Sequence, residues 1–119
     1  MPRFEVLAGA TLVGHSELEH GDAPMGVALG RFLPLPAYAK IQSAVIAARE
    51  GSQAHLNLEV RPIGGEALPS QAGVRINDYS AELGPEGLEV EILGIGYPLY
   101  AELFPAHVAA YRAQFPKVE

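Results

Sequence analysis

The chain has no cysteine among its 119 residues. That excludes a disulfide framework, a thiolate metal site and a cysteine nucleophile, and it suits a reducing compartment. Basic residues are scarce, eight against 14 acidic ones, for a formal charge of −6. They stand apart, at Arg3, Arg31, Lys40, Arg49, Arg61, Arg75, Arg112 and Lys117. Non-specific nucleic-acid binding needs a positive surface that releases phosphate counterions, so no nucleic-acid partner is expected. A basic protein partner suits the charge, and so does the plainer reading that the charge keeps the protein soluble. No apolar run approaches the roughly 20 residues of a membrane span. The segment from Met1 to Glu5 lacks the apolar centre of a signal peptide. The expectation is a cytoplasmic protein with no membrane contact.

Catalytic and cofactor motifs are missing as well. There is no His-Glu-x-x-His pair, no Gly-x-Ser-x-Gly elbow around Ser16, Ser43, Ser52, Ser70 or Ser80, and no Walker lysine. Gly94 and Gly96 follow a strand pattern and precede a helical one. The third glycine of a dinucleotide fingerprint would fall at Leu99, however, and Pro98 interrupts the turn. These glycines read as a strand-to-helix turn. No cofactor is expected.

What is present is globular: 49% apolar and 18% charged residues, at the length of one domain. Ten prolines and 13 glycines divide the chain into short elements. Phe4–Ala8 and Thr11–His15 read as a hairpin turning at Gly9 and Ala10. Ser16 and Glu19 have the spacing of a capping box, predicting a helical turn, with loop from His20 to Pro24. Met25–Leu33 reads as a strand or irregular crossing. Tyr38, Ile41, Val45 and Ala48 form an apolar stripe that predicts a helix over Ala37–Glu50, entered through Pro36 and stopped at Gly51. His55–Arg61 alternates, with Leu56, Leu58 and Val60 on one side. Val74–Tyr79 and Leu88–Ile95 read as an antiparallel pair around a turn at Gly84–Gly87. Tyr97, Tyr100, Phe104, Val108, Tyr111 and Phe115 make a helical stripe interrupted by Pro105, which predicts a kink or two short helices meeting at Phe104 and Pro105. The sum is an α+β domain over 1–119: a mostly antiparallel sheet of four to six strands with two main helices packed on it.

Three groups of side chains are candidates for function. His15, Glu19, His20 and Asp22 gather imidazoles and carboxylates in eight residues, and on a helical turn His15 and Glu19 would be neighbours able to hold a metal. No established ligand spacing is met, and the alternative is a surface capping turn, so no metal is expected there. Glu82, Glu86, Glu89 and Glu91 form an acidic stretch without a basic residue. It is a candidate face for a basic partner, or else a solvated face whose charges guard a strand edge. Tyr97, Tyr100, Phe104, Tyr111 and Phe115 are a candidate homodimer interface if one sheet cannot cover the whole stripe; otherwise they are core.

The stretch from Val13 to Glu19, continued by Asp22 to Ala28 and by Gly30, Arg31 and Phe32, resembles a group of small uncharacterised bacterial proteins, as does Glu102 to Tyr111. The resemblance spans most of the chain. It implies a bacterial source, and no functional residue carries over from it. The reading that follows is a non-catalytic binding or interaction protein of the bacterial cytosol, of which an immunity protein against a basic toxin is one form. The competing reading is a small metal-dependent hydrolase using His15, Glu19, His20 and Asp22.

Overall fold

Alternation of apolar and polar side chains builds most of the strands. In β1 (Phe4–Ala8) Phe4 and Val6 are buried while Glu5 is partly exposed. In β8 (Leu88–Leu93) Leu88, Val90 and Ile92 are buried and the residues between them face outward. The computed structural model describes Arg3 to Phe115. Within these residues the chain is α+β, with every strand pair antiparallel. The first sheet has the order β5 (Leu33–Pro34), β2 (Thr11–Ser16), β1, β6 (Leu58–Pro62). The second has the order β3 (His20–Asp22), β4 (Val27–Arg31), β8, β7 (Gly73–Asp78). No helix among the described residues is long and apolar enough to cross a membrane.

The inner faces share one core. Phe4, Val6, Val13 and Val60 from the first sheet and Ala28, Ile76, Val90 and Ile92 from the second belong to a single buried cluster. Leu56 and Leu58 pack against it. Helix α1 (Gln42–Ala47) adds Val45, and α3 (Leu99–Leu103) adds Tyr100.

The sheet is larger and more divided than the apolar pattern predicts. The Met25–Leu33 segment is not one strand. It supplies β4 to the second sheet, buries Phe32, and then supplies β5 to the first. His20–Asp22, expected as loop, is the edge strand β3. The helical turn expected at Ser16–Glu19 does not form. Ser16 ends β2, and its Oγ accepts the Leu18 N–H at 3.0 Å across a turn in which Leu18 has φ +47°. Glu19 Oε2 instead accepts the Arg31 N–H at 3.1 Å from the end of β4. A side chain that bonds backbone locally competes with the first helical turn in this way.

The Ala37–Glu50 helix is also shorter than predicted. A 3-10 turn over Pro36–Lys40 comes first, and α1 begins only after Ile41. The stripe is nevertheless used: Tyr38 and Val45 are buried, and Ile41 packs on the core. Leu56 sits in a 3-10 turn over Ala54–Leu56, so β6 starts two residues later, after Asn57 in the left-handed region. The turn between β7 and β8 includes a short helix α2 (Ser80–Leu83) before the 3-10 turn at Gly84–Gly87. At Pro105 the stripe is divided between two short helices. Phe104, with φ −129° and ψ 57°, separates α3 from α4 (Pro105–Ala113).

Two buried polar connections tie the elements together. Asp78 is 1% exposed and its carboxylate receives four donors: Tyr38 Oη at 2.6 Å, Gln42 Nε2 at 3.1 Å, Ser80 Oγ at 2.5 Å and Ser80 N at 2.9 Å. Gln53, 4% exposed, presents its amide to the outer edge of β7. Its Nε2 donates to Ile76 O and its Oε1 accepts from Ile76 N, both at 2.8 Å.

Candidate functional site

The His15–Asp22 cluster is divided between the two sheets. His15 lies on β2 opposite Glu5, whose carboxylate pairs with Arg61 at 2.8 Å, so His15 belongs to the outer face of the first sheet. His20 and Asp22 lie on β3 in the second sheet, with Glu19 just before them. Sequence proximity misleads here because the chain changes sheet between Ser16 and His20. Among the described residues no group of three or more histidines and carboxylates is placed to hold a metal ion.

A different histidine comes close instead. His107 on α4 has its Nε2 2.8 Å from Leu18 O, which makes that nitrogen the donor. Its ring stacks on Phe104 with centroids 4.9 Å apart. A groove of about 510 Å³ runs between β3 and α4. One wall is Glu19, His20, Gly21 and Asp22; the other is His107, Ala110, Tyr111 and Gln114. The helical residues recur at i, i+3, i+4 and i+7, so they are a single face of α4. Gly21 permits the close approach: a Cβ there would meet the Tyr100 hydroxyl and the His107 ring. The sequence carries no signal for this pairing, because His107 stands alone on its helix, 87 residues from His20.

The acidic stretch is divided too. β8 is an interior strand, paired with β4 on one side and β7 on the other, so Glu89 and Glu91 do not guard an edge. Register places them on the outer face in two rows across the sheet. One row is Arg31, Glu89 and Asn77; the other is His20, Leu29, Glu91 and Arg75. The Asn77 amide donates to both carboxylates, at 3.4 and 3.2 Å, and Arg75 lies 3.7 Å from Glu91. Glu86 joins Glu89, Glu19 and His20 around a shallow depression at one end of this face. Glu82 stands apart on α2, paired with Arg49 at 2.8 Å. The basic residues absent from the acidic stretch therefore arrive from other elements.

The aromatic stripe splits at the kink. Tyr100 and Phe104 are 0% and 2% exposed and belong to the core, so they offer no interface, contrary to expectation. Tyr97 is exposed and its hydroxyl donates to Ala23 O at 2.6 Å. Tyr111 and Phe115 are exposed as a pair with ring centroids 5.0 Å apart.

Three groups held away from their ordinary ionisation, Tyr38, Asp78 and Tyr100, lie at buried structural positions, while the Arg49 guanidinium is raised at the surface by its hydrogen bond to Glu82. Burial pushes the Tyr38 hydroxyl up, assisted by Asp78. Burial also pushes Asp78 up, but the hydrogen bonds from Ser80, Tyr38 and Gln42 together outweigh it and hold the carboxyl below the usual range. Tyr100 is pushed up to about 12 by burial and by the charges of Tyr97 and Asp22. Compared with protein-family models, with curated proteins and with solved structures, the chain has no match in any of the three.

Proposed function

We propose that the chain is a non-catalytic interaction domain of the bacterial cytosol, of the immunity type, that receives a basic protein partner on the outer face of its second sheet. The observation that carries this reading is the pair of cross-strand rows through Glu89 and Glu91. They set half-exposed carboxylates on an interior strand of the second sheet. Fixed charges on a preformed face steer an oppositely charged partner and set its orientation. The negative charge of the whole chain adds to that field. Catalysis fits less well, because perturbed ionisation at this molecule's buried positions serves packing, whereas active sites gather such groups in clefts. A metal-dependent hydrolase on His15, Glu19, His20 and Asp22 is the weaker reading, since His15 lies on the other sheet.

Replacing both glutamates by lysine, Glu89→Lys with Glu91→Lys, tests the proposal. Basic proteins retained from bacterial lysate by the immobilised wild-type chain at low salt are expected to be lost by the variant. Their association with the variant should slow by about tenfold or more, with a flatter dependence on salt. Retention of the same proteins at unchanged rates would place the interface elsewhere. Circular dichroism of the variant checks that the sheet survives the loss of the Arg75 and Asn77 contacts.

A homodimer through the end of α4 is a second reading, favoured by the exposed Tyr111–Phe115 pair. Closed two-fold pairs are the commonest homo-oligomers. Light scattering is expected to give twice the 12.6 kDa of one chain. Tyr111→Ala with Phe115→Ala should return the mass to one chain and change folding stability by less than about 0.5 kcal/mol, as for surface positions. A single-chain mass for the wild type would remove the dimer.

A further inference from the structure

We infer that the groove between β3 and α4 is a second contact site for the same class of partner, taking an extended segment that carries arginine or lysine. The inference rests on the proposed reading of the domain as a receiver of basic proteins, and it names where a partner's cation would be held. Its size and its two walls lead to it first. The groove, at about 510 Å³, is far larger than one side chain and falls in the range of sites that enclose a ligand, about 300–1,000 Å³. Its first wall is an edge strand whose outer side has no strand partner among the described residues, the arrangement that extended peptides extend by pairing. Its second wall is one face of a nine-residue helix, with small Ala110 at the centre leaving room.

Charge selects the occupant. Glu19 and Asp22 line the groove, and among the described residues no lysine or arginine does. Glu19 uses Oε2 on the Arg31 amide and keeps Oε1 free of any hydrogen bond among the described residues. Asp22 makes no ion pair among the described residues, unlike Glu5, Glu82 and Glu91. A guanidinium donates to a carboxylate through a planar fork and also packs on an aromatic face. Tyr111 lines the opposite wall. The deep end of the groove is already built. His107 is held by Leu18 and Phe104, and Gly21 lies against Tyr100 and His107, so binding would have little to reorganise there.

The groove is continuous with the proposed interface. His20 faces the groove and also heads the row that runs through Leu29 to Glu91. A partner seated on the outer face could place one extended strand around the β3 edge without leaving the surface.

The test titrates the full isotope-labelled chain with an acetylated, amidated hexapeptide, Thr-Arg-Thr-Val-Arg-Thr, and follows backbone amide signals. The comparison peptide has citrulline at both arginines, which preserves shape and removes charge. Saturable shifts are expected at Gly21, Asp22, Ala110 and Gln114, with the citrulline peptide binding about tenfold more weakly, as loss of a charge-assisted hydrogen bond implies. Asp22→Asn should weaken the arginine peptide by a similar factor. Ala110→Arg, which keeps a strong helix former on α4, should abolish the shifts by filling the groove with the chain's own cation.

Shifts confined to Glu89, Glu91 and their neighbours would overturn the groove and leave the proposed face standing. Shifts at neither place would overturn the groove, whereas loss of lysate partners in Glu89→Lys with Glu91→Lys would still support the face. Equal binding of the citrulline peptide would also overturn it, as would α4 shifts that follow protein concentration rather than peptide and so report self-association.

Discussion

Asp78→Ala is expected to destabilise the fold by about 3 kcal/mol, seen as a lower urea midpoint with an unchanged slope. The carboxylate is the shared acceptor of donors from Tyr38, Gln42 and Ser80, and it ties α1 and the turn before it to the end of β7. Gln42 and Ser80 are partly exposed and can turn to water once the acceptor is gone. Tyr38 cannot, because it is 3% exposed and its ring packs edge-on against Phe32 at 5.0 Å. The cost therefore comes mainly from a buried hydroxyl without a partner. Tyr38→Phe removes that hydroxyl, and added to Asp78→Ala it should recover part of the loss, a coupling that a double-mutant cycle measures.

Acid should reveal the same group. The Asp78 carboxyl titrates below its ordinary value of 3.8 in the folded chain, so between the two values the unfolded chain binds more protons. Its contribution is fully present above the unfolded value and is lost as pH falls through the folded one. The stability gap between the wild type and Asp78→Ala should thus stay constant down to about pH 4 and close in stronger acid. A gap that does not narrow there would mean that the carboxylate is not the form the network holds.

Gln53→Ala is expected to cost about 2–4 kcal/mol, since it strips the partners from a buried N–H and a buried C=O at once. The primary amide does here what a neighbouring strand does elsewhere, giving one donor and one acceptor to Ile76. Gln53→Glu keeps the size and loses the donor. At neutral pH it would set a carboxylate against Ile76 O and should be at least as harmful as Gln53→Ala. Protonation restores an O–H donor, so the deficit of Gln53→Glu should shrink in acid. Hydrogen exchange at the Ile76 amide gives the local measure: it should quicken in both variants by more than at Val90, an interior position of the same sheet. Equal acceleration at both would mean that the side chain stabilises the whole fold and not this edge.

Where burial alternates, the strands were legible from the chain. β1, β2, β7 and β8 follow from residues such as Phe4, Val6, Val90 and Ile92, and the break at Phe104 follows from Pro105. The strands β3 and β5 were not legible, because His20-Gly21-Asp22 and Leu33-Pro34 have no apolar alternation and are strands only through their partners. The Ala37–Glu50 helix was half legible. Its stripe marks the buried side, but no spacing shows that Tyr38 must reach Asp78, forty residues away, from a 3-10 turn. The groove was legible on one wall only. Glu19, His20 and Asp22 stand together in the chain, whereas His107 and Tyr111 reach them through the fold of α4 across the second sheet.

The interleaving of the two sheets imposes a waiting time on synthesis. The chain lays down two strands of the first sheet, crosses to the second for β3 and β4, and returns for β5 and later β6. The long edge of β4 pairs with β8, so that Ala28 meets Ile92. At about 5–20 residues per second, a ribosome needs roughly 3–12 seconds to pass from the end of β4 to the end of β8. Through that interval Ala28, Leu29, Gly30 and Arg31 border an unpaired strand edge. β7 is made before β8 and cannot close the gap, because it reaches β4 only through β8. The β3–β4 hairpin must therefore stay out of contact with other nascent chains until the last strand emerges. A chain stopped short of Leu88 would leave β4 and β7 as two open edges that seek a strand from elsewhere.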